Sequence, residues 1–228
     1  MQGGAYAVPQ VLLVYSTNHS LIQKYITRVI AMMNQHQSTT EPIINLHPLI
    51  ANLKQHGYKR VLAIRVDLSM REEHQLSCSF IEFQEYKNRL WNNRRHNKIF
   101  QHCIGWVWKI EFTNKCNYHC HCLFLYDADA VRSDIYYGNK IGKYWVKSIT
   151  REKGTYHNCN RNKASYPRLG IGKIHLTDYE ELANLNDAVI FYLIKEDHLI
   201  RDAVYQDGAA IGLSARNFRT SGYSNNFS

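Results

Sequence analysis

Apolar residues recur first at helical and then at strand spacing along this chain, and each change of period marks an element. Residues 17–36, TNHSLIQKYITRVIAMMNQH, place Leu21, Tyr25, Val29 and Met32 three or four positions apart behind Thr17 or Asn18 as caps, which predicts an amphipathic helix. The stretch from Pro42 to Gly57 predicts a second helix, stopped by Gly57 because glycine accepts the left-handed backbone that ends helices. Residues 59–69, KRVLAIRVDLS, form a short apolar run with β-branched side chains and predict a buried strand, with Arg65 and Asp67 on one side of it. Within residues 71–97, Phe80, Phe83, Tyr86, Lys87 and Leu90 keep helical steps, and the segment finishes in a basic cluster that suits a helix C-terminus.

The period then changes to two. GWVWKIEFT and YHCHCLFLYD alternate in polarity and are joined by a few polar residues, the pattern of a β-hairpin. Residues 131–149 predict a helix, 170–176 a strand, and 178–201 a helix introduced by Thr177 as a cap with Glu180 three residues on. The tail beyond Gly208 is rich in Ser, Asn, Gly and Arg and reads as mobile. There is no internal repeat. The order of elements predicts an α+β fold, with a central, largely antiparallel sheet packed on helices. Residues 1–57 form an N-terminal helical extension in this reading, and 58–228 the main domain.

Composition narrows the class. With 228 residues and 45% apolar content the chain can bury one sizeable core. No run reaches the roughly 18 to 20 apolar residues of a membrane span, and the start MQGGAYAVPQ lacks the layout of a signal peptide, so a cytoplasmic protein without a membrane partner is expected. In that compartment the six cysteines are expected to be reduced. A net charge of +9 favours a polyanion, because lysine and arginine that neutralise phosphates release condensed counterions.

The hairpin carries candidate chemistry. On its second strand His119, His121, Leu123 and Leu125 share one face, while Cys120, Cys122, Phe124 and Tyr126 share the other; on its first strand Trp106, Trp108, Ile110 and Phe112 alternate with Val107, Lys109 and Glu111. A turn centred on Lys115 sets Glu111 opposite His119, so that Glu111, His119 and His121 face one way and the apolar positions of both strands face the other. A loop of even length would separate Glu111 from the histidines. Two imidazoles and a carboxylate leave coordination positions open and suit Mn²⁺, Fe²⁺, Zn²⁺ or, less well, Mg²⁺. Three other readings stand beside this one: an ordinary hairpin in a chain of 12 histidines, a structural zinc on the nearby cysteines, and a two-histidine, one-carboxylate iron oxygenase. The zinc is disfavoured because Cys120 and Cys122 point to the apolar face, and the oxygenase because its usual β-barrel does not fit so many helices. Further on, AVIFYLIKEDHLIR places Tyr192 and Lys195 one helical turn apart, a spacing that lets an ammonium assist a nucleophilic hydroxyl.

Basic charge, an acid-His-x-His hairpin and a downstream Tyr-x-x-Lys helix together resemble the replication initiator endonucleases called HUH proteins. The narrower resemblance is to inovirus-type replication proteins bearing the YagK/YfjJ C-terminal domain. It runs from about residue 58 to 222 through AIRVDLS, WVWKIEF, YHCHCLFLYD, GKYWVKSIT, GTYHNCN, GIGKIHL, FYLIKEDHLIR and ARNFRTSG. Cys120 is small where a bulky residue is common between the histidines, and Asn117-Tyr118 stands where a Gly-aromatic pair is expected.

The resemblance implies an enzyme that nicks and rejoins single-stranded DNA at a replication origin, in rolling-circle fashion, through a 5′-phosphotyrosyl intermediate. Tyr192 would be the nucleophile, with Tyr136 and Tyr137 as alternatives, and Lys195 would assist. Glu111, His119 and His121 would hold a divalent metal, Mn²⁺ or Mg²⁺. Arg65, Lys109, Arg216 and Arg219 are the expected DNA contacts, and Trp145 is either a base-stacking residue or part of the core. The implied partners are origin DNA and a host helicase and polymerase, in a bacterial cell carrying a phage, prophage or plasmid element. The alternative is a non-catalytic DNA-binding regulator with the same fold; a metal-stabilised structural protein is a third reading.

Overall fold

A computed structural model describes residues 46–193, 200, 202–204 and 220–224, with residues 188–193 described by their backbone alone. The helix expected over 17–36 lies outside them, as do Lys195, Arg216 and Arg219. The described chain runs through helix α1 (His47–Gln55), strand β1 (Arg60–Met70), the short α2 (Glu72–Gln75), α3 (Phe80–Arg94), the hairpin β2 (Cys103–Thr113) and β3 (Asn117–Asp127), and α4 (Asp134–Tyr144). It continues through β4 (Gly154–Asn158), β5 (Gly172–His175), α5 (Tyr179–Leu193) and β6 (Ser221–Tyr223). The six strands make one sheet in the order β4-β1-β3-β2-β6, with β5 pairing the first part of β1, and every pairing is antiparallel. The α+β architecture is the one the sequence pattern predicts.

Most boundaries follow local chemistry. Gly57, with φ of +84°, ends α1 in the left-handed region. The helix expected over 71–97 is divided, because the Ser79 side chain accepts the Glu82 N–H (3.2 Å) and so caps a new helix, leaving Leu76 almost fully exposed between the two. The last helix is capped one residue later than expected: Asp178 Oδ1 accepts the Glu181 N–H at 3.0 Å. Strands β4 and β6 are not visible in the hydropathy pattern. The first is five residues long and largely polar, and the second is three residues in the Ser- and Asn-rich tail, so neither carries a readable alternation.

One face of the sheet is a continuous apolar core. Leu62, Ile64, Val66 and Leu68 of β1, Trp108 and Ile110 of β2, and Cys120, Cys122, Phe124 and Tyr126 of β3 bury against Phe80, Phe83 and Leu90 of α3 and Ile141 of α4. Trp145, in the π-helical turn Trp145–Ile149 after α4, is fully buried there, with Phe83 and Tyr86 edge-on at 5.8 and 6.2 Å and its indole N–H donating to the Ser69 carbonyl at 3.0 Å. Trp145 is therefore a core residue and not a base-stacking platform.

The opposite face is divided along the strands. At one end Val61, Ala63, Val107, Leu123 and Leu125 pack against Leu49 and Leu53 of α1, Ile174 of β5 and Leu185 of α5. Helix α1 thus shares the core of the sheet, although the sequence pattern groups it with the extension 1–57. The other end carries Glu111, His119, His121 and Asp67, and among the described residues no such apolar cover lies over it. Between β4 and β5, where β1 lacks a strand neighbour, Asn160 acts in place of one. Its Oδ1 accepts the Arg65 N–H (2.8 Å) and its Nδ2 donates to the Ala63 carbonyl (2.9 Å).

Candidate metal centre

The hairpin register decides whether three donors meet. Thr113 pairs with Asn117, and three residues form the turn, with Asn117 at φ of 48°, a left-handed value that asparagine tolerates. Glu111 then faces His119 and Lys109 faces His121. On the other side of β3, β1 sets Ser69 against His119 and Asp67 against His121. Paired residues in an antiparallel ladder share a face, so Glu111, His119, His121 and Asp67 project together from the centre of the sheet.

One ligand atom from each of Glu111, His119 and His121 lies within 4.8 Å of the others. Glu111 Oε2 is 3.2 Å from His121 Nε2 and 3.5 Å from His119 Nε2. The two imidazoles stand edge to face with centroids 4.9 Å apart. Each has its other nitrogen engaged: His119 Nδ1 lies 3.2 Å from the Asn117 carbonyl and His121 Nδ1 lies 2.8 Å from Asp67 Oδ1. In the neutral rings, with Nδ1–H donating to those acceptors, both Nε2 lone pairs would face a cation that displaces the proton. Glu111 Oε1 is buried and has no hydrogen-bond partner among the described residues, an arrangement that costs about 1–3 kcal/mol unless something occupies its lone pairs. The donor set fits a divalent cation, and the orphaned oxygen is the atom such a cation would satisfy.

Charge is concentrated here. Burial alone would push the Glu111 carboxyl up, but hydrogen bonds from His119 and His121 outweigh it and pull the group down to about 2. Burial works against the His121 imidazolium too, and is overcome by the Asp67 and Glu111 carboxylates, which raise it to about 9. Asp67 sits well below the usual carboxylate range: burial opposes this, and His121 and Arg65 more than compensate. Without metal the site therefore holds a proton on His121 in the place where a cation would bring positive charge.

The other expected residues are distributed unevenly. Arg65 is 8% exposed and donates to Asp67 through Nε and Nη2, both at 3.1 Å, and Lys109 is 3% exposed, so both sit within the sheet and not on a solvated surface. Tyr192 lies in the last turn of α5, two turns beyond Leu185, in a helix that packs on the divided face carrying the triad. Tyr137, by contrast, packs against the apolar core on the other side of the sheet, its ring tilted against Tyr126 at 5.0 Å, and Tyr136 is an exposed residue lying edge-on to Tyr137 at 5.4 Å. Cys120 and Cys122 also bury on that side, their sulfurs 3.5 Å apart and directed away from the triad. Two residues escape a sequence reading of the site: Asp67 as the His121 acceptor, and His157, which β4 sets opposite Asp67 in an exposed position. The only local signal was the shared parity of Arg65 and Asp67; which strand they join is a long-range property.

No curated protein and no solved structure matches this sequence. Residues 8–207 match the YagK/YfjJ C-terminal domain, and over that span, which is most of its length, the chain belongs to the YagK/YfjJ C-terminal domain family.

Proposed function

We propose that the protein is a metal-dependent endonuclease and strand transferase of the HUH replication-initiator type, inovirus-like, acting on single-stranded DNA at a replication origin. The observation that carries this reading is the convergence of Glu111, His119 and His121 within 4.8 Å on the face of the sheet where α5, the helix that bears Tyr192, also packs. The net charge of +9 favours the same polyanionic substrate.

Glu111 Oε and the Nε2 atoms of His119 and His121 are the groups that would hold the ion. Two imidazoles in the set favour Mn²⁺ over Mg²⁺. A divalent ion bound there supplies Lewis-acid polarisation of the scissile phosphate. The Tyr192 hydroxyl attacks phosphorus in line: its oxygen forms the new P–O bond as the bond to the 3′-oxygen breaks. The phenolic proton passes to solvent, and the departing oxygen gains a proton to become a 3′-hydroxyl from which a host polymerase extends. Lys195, three residues on in the sequence, offsets charge on the phosphate. The 5′-phosphotyrosyl bond conserves the energy of the cleaved linkage, so attack by a 3′-hydroxyl reverses the step and rejoins the strand. Unwinding falls to a host helicase, in the cytoplasm of a bacterium carrying the phage, prophage or plasmid element.

The test is incubation with tiled origin oligonucleotides and Mn²⁺, with and without chelator, followed by mass mapping of any covalent adduct. A metal-dependent adduct on Tyr192, lost in Tyr192→Phe while DNA binding persists, is the expected result. Binding without any adduct would replace this reading with a non-catalytic DNA-binding regulator.

A further inference from the structure

Arg65 and Asp67 form a charged pair in the middle of the sheet, next to the metal centre but not of it. Arg65 is buried and Asp67 half-buried, so desolvation offsets much of their mutual attraction and stability alone gives little reason for the pair. Its geometry is more specific than a stabilising role requires. Both residues lie on β1, two positions apart and hence on one face. The guanidinium binds the carboxylate with both arms, Nε to Oδ1 and Nη2 to Oδ2, each at 3.1 Å. The same Oδ1 accepts His121 Nδ1–H at 2.8 Å. Arg65 Nη2 passes 3.3 Å from His121 Nδ1; both carry N–H, so this is close packing that the carboxylate holds together. The backbone beneath is pinned where β1 lacks a strand neighbour, since Asn160 grips both the Arg65 N–H and the Ala63 carbonyl and is itself held by Asp134 at 3.0 Å.

We propose that Asp67 is the positioning residue of the metal centre and that Arg65 is its clamp. Asp67 fixes the His121 ring so that Nε2 faces the ion. Arg65 occupies both carboxylate oxygens, keeping Asp67 as an acceptor behind the ring and out of the ligand set. Arg65 accordingly acts within the protein and not as a DNA contact. This inference rests on the metal reading of the triad.

The test is Mn²⁺ titration of the full chain by calorimetry, with pulsed electron paramagnetic resonance to read histidine-nitrogen coupling to the ion and thermal melting to follow folding. Asp67→Asn keeps the shape of the side chain and is expected to weaken Mn²⁺ binding about 10- to 100-fold and to change the nitrogen coupling, while the chain still melts cooperatively. The double variant Arg65→Met/Asp67→Leu removes both charges together, so no unpaired guanidinium is left buried; it is expected to fold and to show the same weakened, altered site. Wild-type affinity and wild-type nitrogen coupling in either folded variant would overturn the positioning role. Absence of Mn²⁺ binding by the wild-type chain would instead remove the metal reading, and the inference with it.

Discussion

Glu111→Gln removes the one negative charge among the three donors at nearly constant volume. A cation that binds only the folded chain stabilises it by RT ln(1 + [L]/Kd), about 2.7 kcal/mol at a hundredfold excess over Kd, which for a domain of this size raises Tm by about 5–10 °C. The Glu111 Oε2 atom is 3.2 and 3.5 Å from the two imidazole nitrogens, and Oε1 is buried without a partner among the described residues, so the carboxylate is held against both rings. An amide placed there has no charge to offer and turns a donor towards either the cation or His121. Loss of a hundredfold in affinity reduces the metal term at the same Mn²⁺ concentration to about 0.4 kcal/mol, a shift of no more than about 2 °C. The carboxylate also stabilises the metal-free fold, because its pKa is lowered to about 2 on folding. That contribution is fully present above the ordinary glutamate value and is lost as the pH falls towards 2, so Glu111→Gln should lower the metal-free Tm at neutral pH and flatten its dependence below about pH 4. Differential scanning fluorimetry of wild type and variant, in chelator and in Mn²⁺, separates the two effects. An equal Mn²⁺ shift in both proteins would refute the assignment of Glu111 as a ligand.

Other expected outcomes follow from single features of the fold. A Cβ at Gly142 would lie 2.0 Å from the Tyr156 ring, so Gly142→Ala should destabilise by about 1–3 kcal/mol or more, measured by urea denaturation; a neutral effect would mean that α4 and β4 separate easily. Burial pushes the Asp134 carboxyl up but Lys163 and Asn160 hold it below its ordinary 3.8, so its stabilisation is present above that value and lost as pH falls through the lower, folded one. Asp134→Asn should therefore cost about 1–3 kcal/mol at neutral pH and remove part of the acid-induced loss seen in pH-dependent denaturation. Single-stranded DNA affinity should fall log-linearly with salt, with a slope of about −0.7 per phosphate neutralised, read by fluorescence anisotropy; a flat response would exclude a phosphate-tracking surface.

Much of the candidate site was legible because it is local. Alternation over Trp106–Phe112 and Tyr118–Tyr126, with an odd turn between, places Glu111, His119 and His121 on one face by geometry alone, and β2 and β3 pair in that register. The same parity sends Cys120 and Cys122 to the apolar side, where they bury. Helix spacing likewise marks Phe80, Phe83, Tyr86 and Leu90 as the inward face of α3, and all four are buried.

What local pattern leaves open are contacts between residues far apart in the chain. The sequence puts Arg65 and Asp67 on one side of a strand, but only the pairing of β1 with β3 brings Asp67 behind His121 and makes of the two charges a partly buried pair. The apolar cover over half of the triad's face comes from α1, β5 and α5, elements that only the assembled sheet brings over Leu123 and Leu125. Strands β4 and β6 exist because β1 and β2 offer them edges, not because GTYHN or SGY alternate strongly. Side-chain period is fixed by the backbone and is therefore written in the sequence; strand partnership is chosen by the free energy of assembling the whole sheet, and only the tertiary structure records that choice.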